Sequence, residues 1–267
     1  RIVAARPADL MRPASIAPAS PGRILGTLEG ADAVIIAPDE LLDAAAPLAS
    51  MQEGDGLSVE LVSLREVYDE FGQGVEDPGA VRAFIGHALD TWYPVPTDFI
   101  LVGDGHYDPL NRNTPEQDMF PAWVRLRLND CLDDLYAITT HGQNMPEASL
   151  SRIPADNPQD VSLYVSKVAM YRSGAASGPW NNDIMLVADD ELGHTNCETT
   201  HTLFCEAMAD SIIDKSFDRT KFYLIEYPWP AGERPEKPEA REDFVKALCR
   251  GWLAVIFYGH GSHDQIC

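Results

Sequence analysis

Near the carboxyl end of the chain, Tyr258-Gly259-His260-Gly261-Ser262 follows the apolar run Leu253–Tyr258. Such a run reads as a buried strand, and the turn after it presents a histidine between two glycines. An imidazole exposed there can move protons near neutral pH. Glycine lets the backbone approach a ligand closely, and the Gly261 N–H could face a developing oxyanion. On the local pattern alone, a glycine-rich turn that holds an incidental histidine is an equal reading. The chain has five cysteines: Cys131, Cys197, Cys205, Cys249 and Cys267. Their odd number and irregular spacing give no disulfide framework. Cys249 reads as a core residue inside a helix.

Other side chains suit metal ions. His194, Cys197, His201 and Cys205 invite a zinc reading. Cys197, His201 and Cys205 recur at i, i+4 and i+8, on one helical face. The first and last would then stand roughly 12 Å apart at 1.5 Å rise per residue, so they cannot share one tetrahedral ion. Two of them with His194 could; semi-buried small residues on a helix are the plainer reading. His260 and His263 form another candidate pair. Asp104, Asp108 and Asn111 make a polar loop whose oxygens suit a structural calcium ion, with an Asx-rich turn as the alternative. Asp189, Asp190 and Glu198 offer the same choice between calcium ligands and acids at a helix start. Asp133, between Asp130 and Asp134, is either a turn, capping or calcium aspartate or a carboxylate that pairs with a basic side chain.

The elements that position these groups alternate. Ala33–Ala37 reads as a strand, and Pro38-Asp39 opens a helix to about Glu53, with Asp39 expected to cap it. Leu57–Ser63 is a second strand, Leu64–Phe71 a helix, and Asp77-Pro78 starts another helix with Asp as cap and Pro in the first turn. Phe99–Gly103 is a third strand. Residues 106–147 are irregular and polar. Leu150–Pro154 reads as a strand and Pro158–Tyr171 as a helix. After the small-residue break at Gly174–Trp180 the rhythm restarts. Ile184–Ala188 is a strand, Cys197–Ile213 a helix, Lys221–Tyr227 a strand, Pro235–Arg250 contains a helix, and Leu253–Tyr258 is the last strand. Strands joined by crossover helices are parallel. The expected fold is α/β, with two side-by-side subdomains of mostly parallel sheet. Residues 1–24, rich in Pro, Ala and Arg, read as an extended tail or linker. Residues 25–173 form the first subdomain and 174–267 the start of the second.

Composition narrows the function. Forty-two acids against twenty Lys and Arg give a formal net charge of -22 in 267 residues. That balance argues against nucleic acid and against an anionic membrane surface as partners. No apolar run approaches the roughly 18 residues of a membrane span. Nucleotide chemistry lacks its phosphate loops: no Gly-x-x-x-x-Gly-Lys occurs, and no Gly-x-Gly-x-x-Gly follows a strand. The chain starts at Arg1 without a signal peptide and so reads as a processed piece.

Several blocks, in order, resemble the gingipain-type cysteine peptidases, relatives of the caspases. Phe257-Tyr-Gly-His-Gly-Ser-His-Asp-Gln265 resembles the histidine block of that family. Ala37-Pro-Asp-Glu-Leu-Leu42 resembles its first helix entry, and Leu101-Val-Gly-Asp-Gly-His-Tyr-Asp-Pro-Leu-Asn111 its third strand and loop. Asp133-Asp-Leu-Tyr136 resembles an acidic block, and Ser151-Arg-Ile-Pro154 a Gly-Arg-Ile-Pro strand, with Ser151 in place of glycine. Leu186-Val-Ala-Asp-Asp190 resembles the first strand of the second subdomain. The resemblance covers about residues 30–265. It implies a caspase-like, three-layer α/β/α second subdomain and peptide hydrolysis by a Cys–His dyad with no cofactor required for the chemistry. His260 is then the catalytic histidine, Gly261 the oxyanion donor, and Asp133 a candidate wall of the pocket for a basic residue before the cut.

The family's cysteine belongs at the end of a further strand. Cys267 lies in the same loop as His260, where the family often carries tryptophan, and so is not expected to replace it. The resemblance therefore implies a second chain or C-terminal segment carrying the nucleophile, a peptide or protein substrate, and an extracellular or cell-surface location. A cleaved two-chain enzyme, a truncated chain, and an inactive homologue acting as an interaction module all remain open, with a metal-binding hydrolase as the rival.

Overall fold

A computed structural model of the chain describes residues 22–26, 28–106, 108, 118–125, 130–175, 177–190, 199–228 and 236–261. The chain divides into two compact units between Met170 and Tyr171.

The first unit is built on strand β1, Ala33–Ala37, in which every side chain is buried. A strand apolar at all positions must be covered on both faces, which is the condition of a parallel sheet carrying helices above and below. Helix α1 (Asp39–Gly54), strand β2 (Val59–Ser63), helices α2 (Leu64–Phe71) and α3 (Pro78–Thr91) and strand β3 (Asp98–Val102) follow. A short antiparallel ladder of β4 (Val124–Arg125) with β5 (Asp130–Cys131), a 3-10 turn at Asp133–Tyr136, strand β6 (Ser149–Ile153) and helix α4 (Pro158–Arg172) complete it. The four-stranded sheet runs β2-β1-β3-β6, all parallel. Alternate residues of each strand face opposite sides. Val34, Ile36, Val62, Phe99 and Leu101 pack with Val67, Phe84 and Ile85 of α2 and α3. Ile35, Ala37, Val102 and Ile153 pack with Leu41, Leu48 and Val161 of α1 and α4.

The second unit repeats the scheme on a smaller scale. Strand β7 (Asp183–Ala188), helix α5 (Thr200–Ser211), strand β8 (Asp218–Tyr223), helix α6 (Pro238–Leu248) and strand β9 (Ala254–Tyr258) form a parallel sheet of order β8-β7-β9. Leu186 and Ala188 meet Cys205 and Ala209 of α5. Met185, Val187 and Phe222 meet Phe244 and Ala247 of α6 on the other face. In this order β7 is central, and the chain leaves it first toward β8 and later returns to pair β9 on its opposite side. The carboxyl ends of β7 and β9 therefore flank a point where the connections reverse, the place where parallel α/β sheets open a crevice.

Several local expectations change. Asp39 does not cap α1: the cap position is Pro38, without a side-chain bond, and the Asp39 carboxylate accepts the Ser63 hydroxyl at 2.5 Å. Ser63 instead caps α2, accepting from the Arg65 and Glu66 N–H groups at 3.1 and 3.3 Å. Asp77 caps α3 as expected, accepting from Gly79 N–H. The strand expected to reach Tyr227 ends at Tyr223 and tightens into a 3-10 turn at Leu224–Glu226. Ile24, at the end of the expected tail, is buried in the first core, and Arg23 is bonded to Glu60 and Glu66; residues 1–21 lie outside the described residues. Cys249 is exposed, because α6 ends one residue earlier and Cys249 only closes its last turn.

Candidate active site

The register of the second sheet sets the site. Ala188 of β7 pairs with Tyr258 of β9, and Asp189 N–H continues the ladder to the Tyr258 carbonyl at 3.1 Å. One residue past the pair on β7 stands Asp189, and two past it on β9 stands His260. The ring Nδ1 of His260 lies 2.7 Å from Asp189 Oδ2, and the His260 backbone N–H donates to the same oxygen at 2.9 Å. The Asp190 N–H donates to Asp189 Oδ1 at 2.8 Å. Asp189 is 4 % exposed, and three donors are aimed at its carboxylate. A buried carboxylate is tolerable only when its oxygens are so satisfied. As an ionised carboxylate can only accept, it holds the ring proton on Nδ1 and leaves the Nε2 lone pair open.

Gly259 is required for this contact. A Cβ added there would come within 2.2 Å of Asp189 Cβ and 2.7 Å of the Phe257 ring. Real side chains never approach so closely, so the glycine before His260 lets β9 pass against the aspartate. Asp190, the next residue, pairs with Lys237 where both are buried, and Lys237 Nζ also donates to the Leu224 carbonyl at 2.6 Å. That pair ties the start of α6 to the end of β7.

The back of the site is aromatic. His201 of α5 meets the His260 ring edge-on, centroids 4.8 Å apart, and lies 5.4 Å from the Tyr258 ring. Phe204 stacks on Tyr258 at 4.1 Å. His201 and Cys205 share one packed face of α5, continued by Ala209. Cys205 is buried with its Sγ 3.7 Å from the Val187 carbonyl, and burial pushes its thiol pKa up, the reverse of what a nucleophile needs. Among the described residues no thiol is hydrogen-bonded to His260. His194, Cys197, Glu198, Ser262, His263 and Cys267 lie outside the described residues, as does Asn111. Gly261 directly follows His260.

In the first unit, Asp133 has a partner within the protein. Arg152 donates from Nε to Asp133 Oδ2 at 2.7 Å and from Nη2 to Oδ1 at 2.9 Å, a two-pronged pair that occupies both oxygens. The same guanidinium donates to the carbonyls of Gly103, Phe120 and Pro121 and lies over the Phe120 ring. Burial opposes the Arg152 charge, but the bond and charge of Asp133 outweigh it and raise the Arg152 pKa. This fork gives Asp133 a structural role independent of any pocket, and a basic side chain from outside would have to compete with Arg152. In the loop after β3, Asp104 Oδ1 accepts the Gly105 N–H at 2.9 Å, and Asp118 accepts the His106 N–H at 3.1 Å.

The model of peptidase family C25 matches residues 27–267. The chain belongs to that family, the gingipain-type cysteine peptidases. Two solved structures share the α/β fold of this C25 chain. The Arg-specific cysteine proteinase gingipain R (RgpB) aligns over 92 % of the chain and 49 % of its own length, with TM-score 0.61 and 16 % identity. The complex of Porphyromonas gingivalis RgpB pro- and mature domains aligns over 86 % of the chain and 48 % of its own, with TM-score 0.58 and 15 % identity. The C25 chain thus spans about half the length of these relatives. No curated protein sequence matches it. Among the described residues, no helix is long and apolar enough to cross a membrane.

In the sequence Asp189 reads as a calcium ligand or an acid at a helix start, whereas it sits at the carboxyl end of β7 with its carboxylate on His260. The available signal was its position: an acid directly after a buried parallel strand, where such sheets keep their reactive groups.

Proposed function

We propose that the chain carries the histidine half of a cysteine endopeptidase site, with His260 as proton-transfer residue and Asp189 as the residue that positions it. The observation that carries this reading is the 2.7 Å contact of His260 Nδ1 with buried Asp189 at the ends of adjacent parallel strands. With Nδ1–H held by the carboxylate, Nε2 can take the proton of a thiol. The thiolate sulfur then attacks the peptide carbonyl carbon, and the imidazolium returns the proton to the leaving amine nitrogen. Water, deprotonated by the same nitrogen, hydrolyses the thioester. Gly261 N–H is the proposed donor to the oxyanion. A further segment, covalent or associated, is proposed to supply the cysteine. In the described sheet β9 is an edge strand with Val255 and Tyr258 exposed, a surface suited to an added strand. Location outside the cell or on its surface belongs to the same proposal and rests on family resemblance.

The test is the intact mass of the natural protein, native and denatured, with an active-site thiol reagent. A labelled cysteine in a continuing or co-purifying segment is expected, with His260→Ala abolishing turnover. Asp189→Asn should lower kcat by roughly 10²- to 10⁴-fold with KM little changed, and Asp189→Glu should recover part of the loss. A natural protein without any labelled thiol, or a His260→Ala variant that still turns over, overturns the reading.

A further inference from the structure

Asp189, His201 and His260 each offer one ligand atom, and the three atoms lie within 4.8 Å of one another. They come from three elements: the end of β7, the first turn of α5 and the end of β9. From this convergence we propose that the site binds one divalent transition-metal ion, with zinc the best match, and that the bound ion holds the peptidase off.

The donor set selects the ion. Two imidazole nitrogens and one carboxylate oxygen suit zinc and its neighbours, whereas calcium and magnesium prefer all-oxygen cages. Around a tetrahedral ion with bonds of about 2.0–2.2 Å, ligand atoms stand roughly 3.4 Å apart. The three atoms lie within 4.8 Å of one another, so they must draw closer around an ion, and His260, the least buried of the three, can supply that adjustment. Asp189 is pre-positioned by two backbone N–H groups, so the carboxylate does not have to be ordered when the ion arrives. The chain's formal charge of -22 also favours a cation over an anion at this cleft. Three protein ligands leave one position for water or for the proposed thiolate, a soft ligand that zinc favours.

Inhibition follows from the chemistry. A histidine whose lone pair is on a metal cannot accept the thiol proton, and a carboxylate on a metal no longer aligns the ring. This consequence rests on the peptidase reading; the binding itself does not.

The test separates the two. Co²⁺ and Zn²⁺ are titrated into the intact protein, following the visible absorption of bound Co²⁺ and its displacement by Zn²⁺. One ion per chain is expected at the site. His201→Asn and His260→Asn should each weaken binding at least as much as loss of a supporting shell residue does, roughly 10- to 100-fold. His141→Asn, an exposed turn residue, should leave binding unchanged. His260 is the partly exposed member, so its variant keeps the test decisive if the buried His201→Asn chain does not fold. Absence of binding, or binding that neither variant changes, overturns the metal site. On the activity side, zinc should suppress turnover and a chelator restore it. A chelator that abolishes turnover instead would make the ion a catalyst and overturn the inhibitory role. Metal-free protein with no turnover while Co²⁺ still binds would overturn the peptidase reading and leave the metal site standing.

Discussion

At the scale of single residues, the site depends on how closely two backbones pass. Gly259→Ala places a methyl inside the space of Asp189, and the aspartate or β9 must move. Displacements of about 1 Å in a catalytic constellation cost on the order of 10²-fold in rate. The expected outcome is that loss in kcat, with the far-ultraviolet spectrum of the variant unchanged. Asp118 makes a different prediction, through pH. Burial raises its pKa, more than the His106 N–H and the Arg152 charge lower it. A carboxyl whose pKa is raised on folding favours the folded state when protonated. Its contribution is fully present below the unfolded value of about 3.9 and is lost as pH rises through the folded value. Asp118→Asn keeps the oxygen that accepts the His106 N–H and removes the charge. The variant should therefore melt at a higher temperature than the parent at neutral pH, and the difference should vanish by about pH 3.

At the scale of elements, Arg152 joins β6 to the loops that leave β3 and precede β4. One guanidinium engages Asp133, three carbonyls and the Phe120 ring, and Tyr136 adds a bond from its hydroxyl to the Pro121 carbonyl at 2.5 Å. Breaking a largely buried pair from one side leaves the other charge uncompensated, at about 3 kcal/mol. Asp133→Asn should lower denaturant stability of the first unit by that amount. If Asp133 instead served only an outside ligand, the variant would unfold like the parent and lose only substrate affinity. A double-mutant cycle with Arg152→Met isolates the pair, since removing both partners should cost less than the two single changes summed.

At the scale of the molecule, the two units differ in how fully their sheets are covered. In the first, four strands lie between helices on both faces, with β1 wholly buried. In the second, the described sheet has three strands and a smaller core. Leu203 and Phe204 of α5, Val255 of β9 and Leu248 of α6 remain exposed. Less apolar area removed from water means less stabilisation. Chemical denaturation of this chain should show two transitions, the second unit opening first. In native-state hydrogen exchange, amides of β9 should exchange well ahead of those of β1. A segment pairing along β9 should raise the first transition and slow that exchange, which gives the proposed completion of the sheet a readout independent of activity.

The apolar runs, their spacing and the Asp77-Pro78 helix start are local properties. They were legible because a strand buried on both faces must be apolar throughout and a helix start needs a partner for its N–H groups. The same locality made Tyr258-Gly-His-Gly visible as a turn after a strand. It failed for Asp39, whose carboxylate is taken by Ser63 from the neighbouring strand, and for the end of β8, where a 3-10 turn replaces further pairing. It failed most for Asp189. Seventy-one residues separate it from His260, and no pattern along the chain states that β9 returns beside β7 and not beside β8. That strand order, with the register that sets Ala188 opposite Tyr258, is decided by packing two helices on opposite faces of one sheet. The sequence by itself determined where the histidine stands; only the tertiary structure decided which carboxylate holds it.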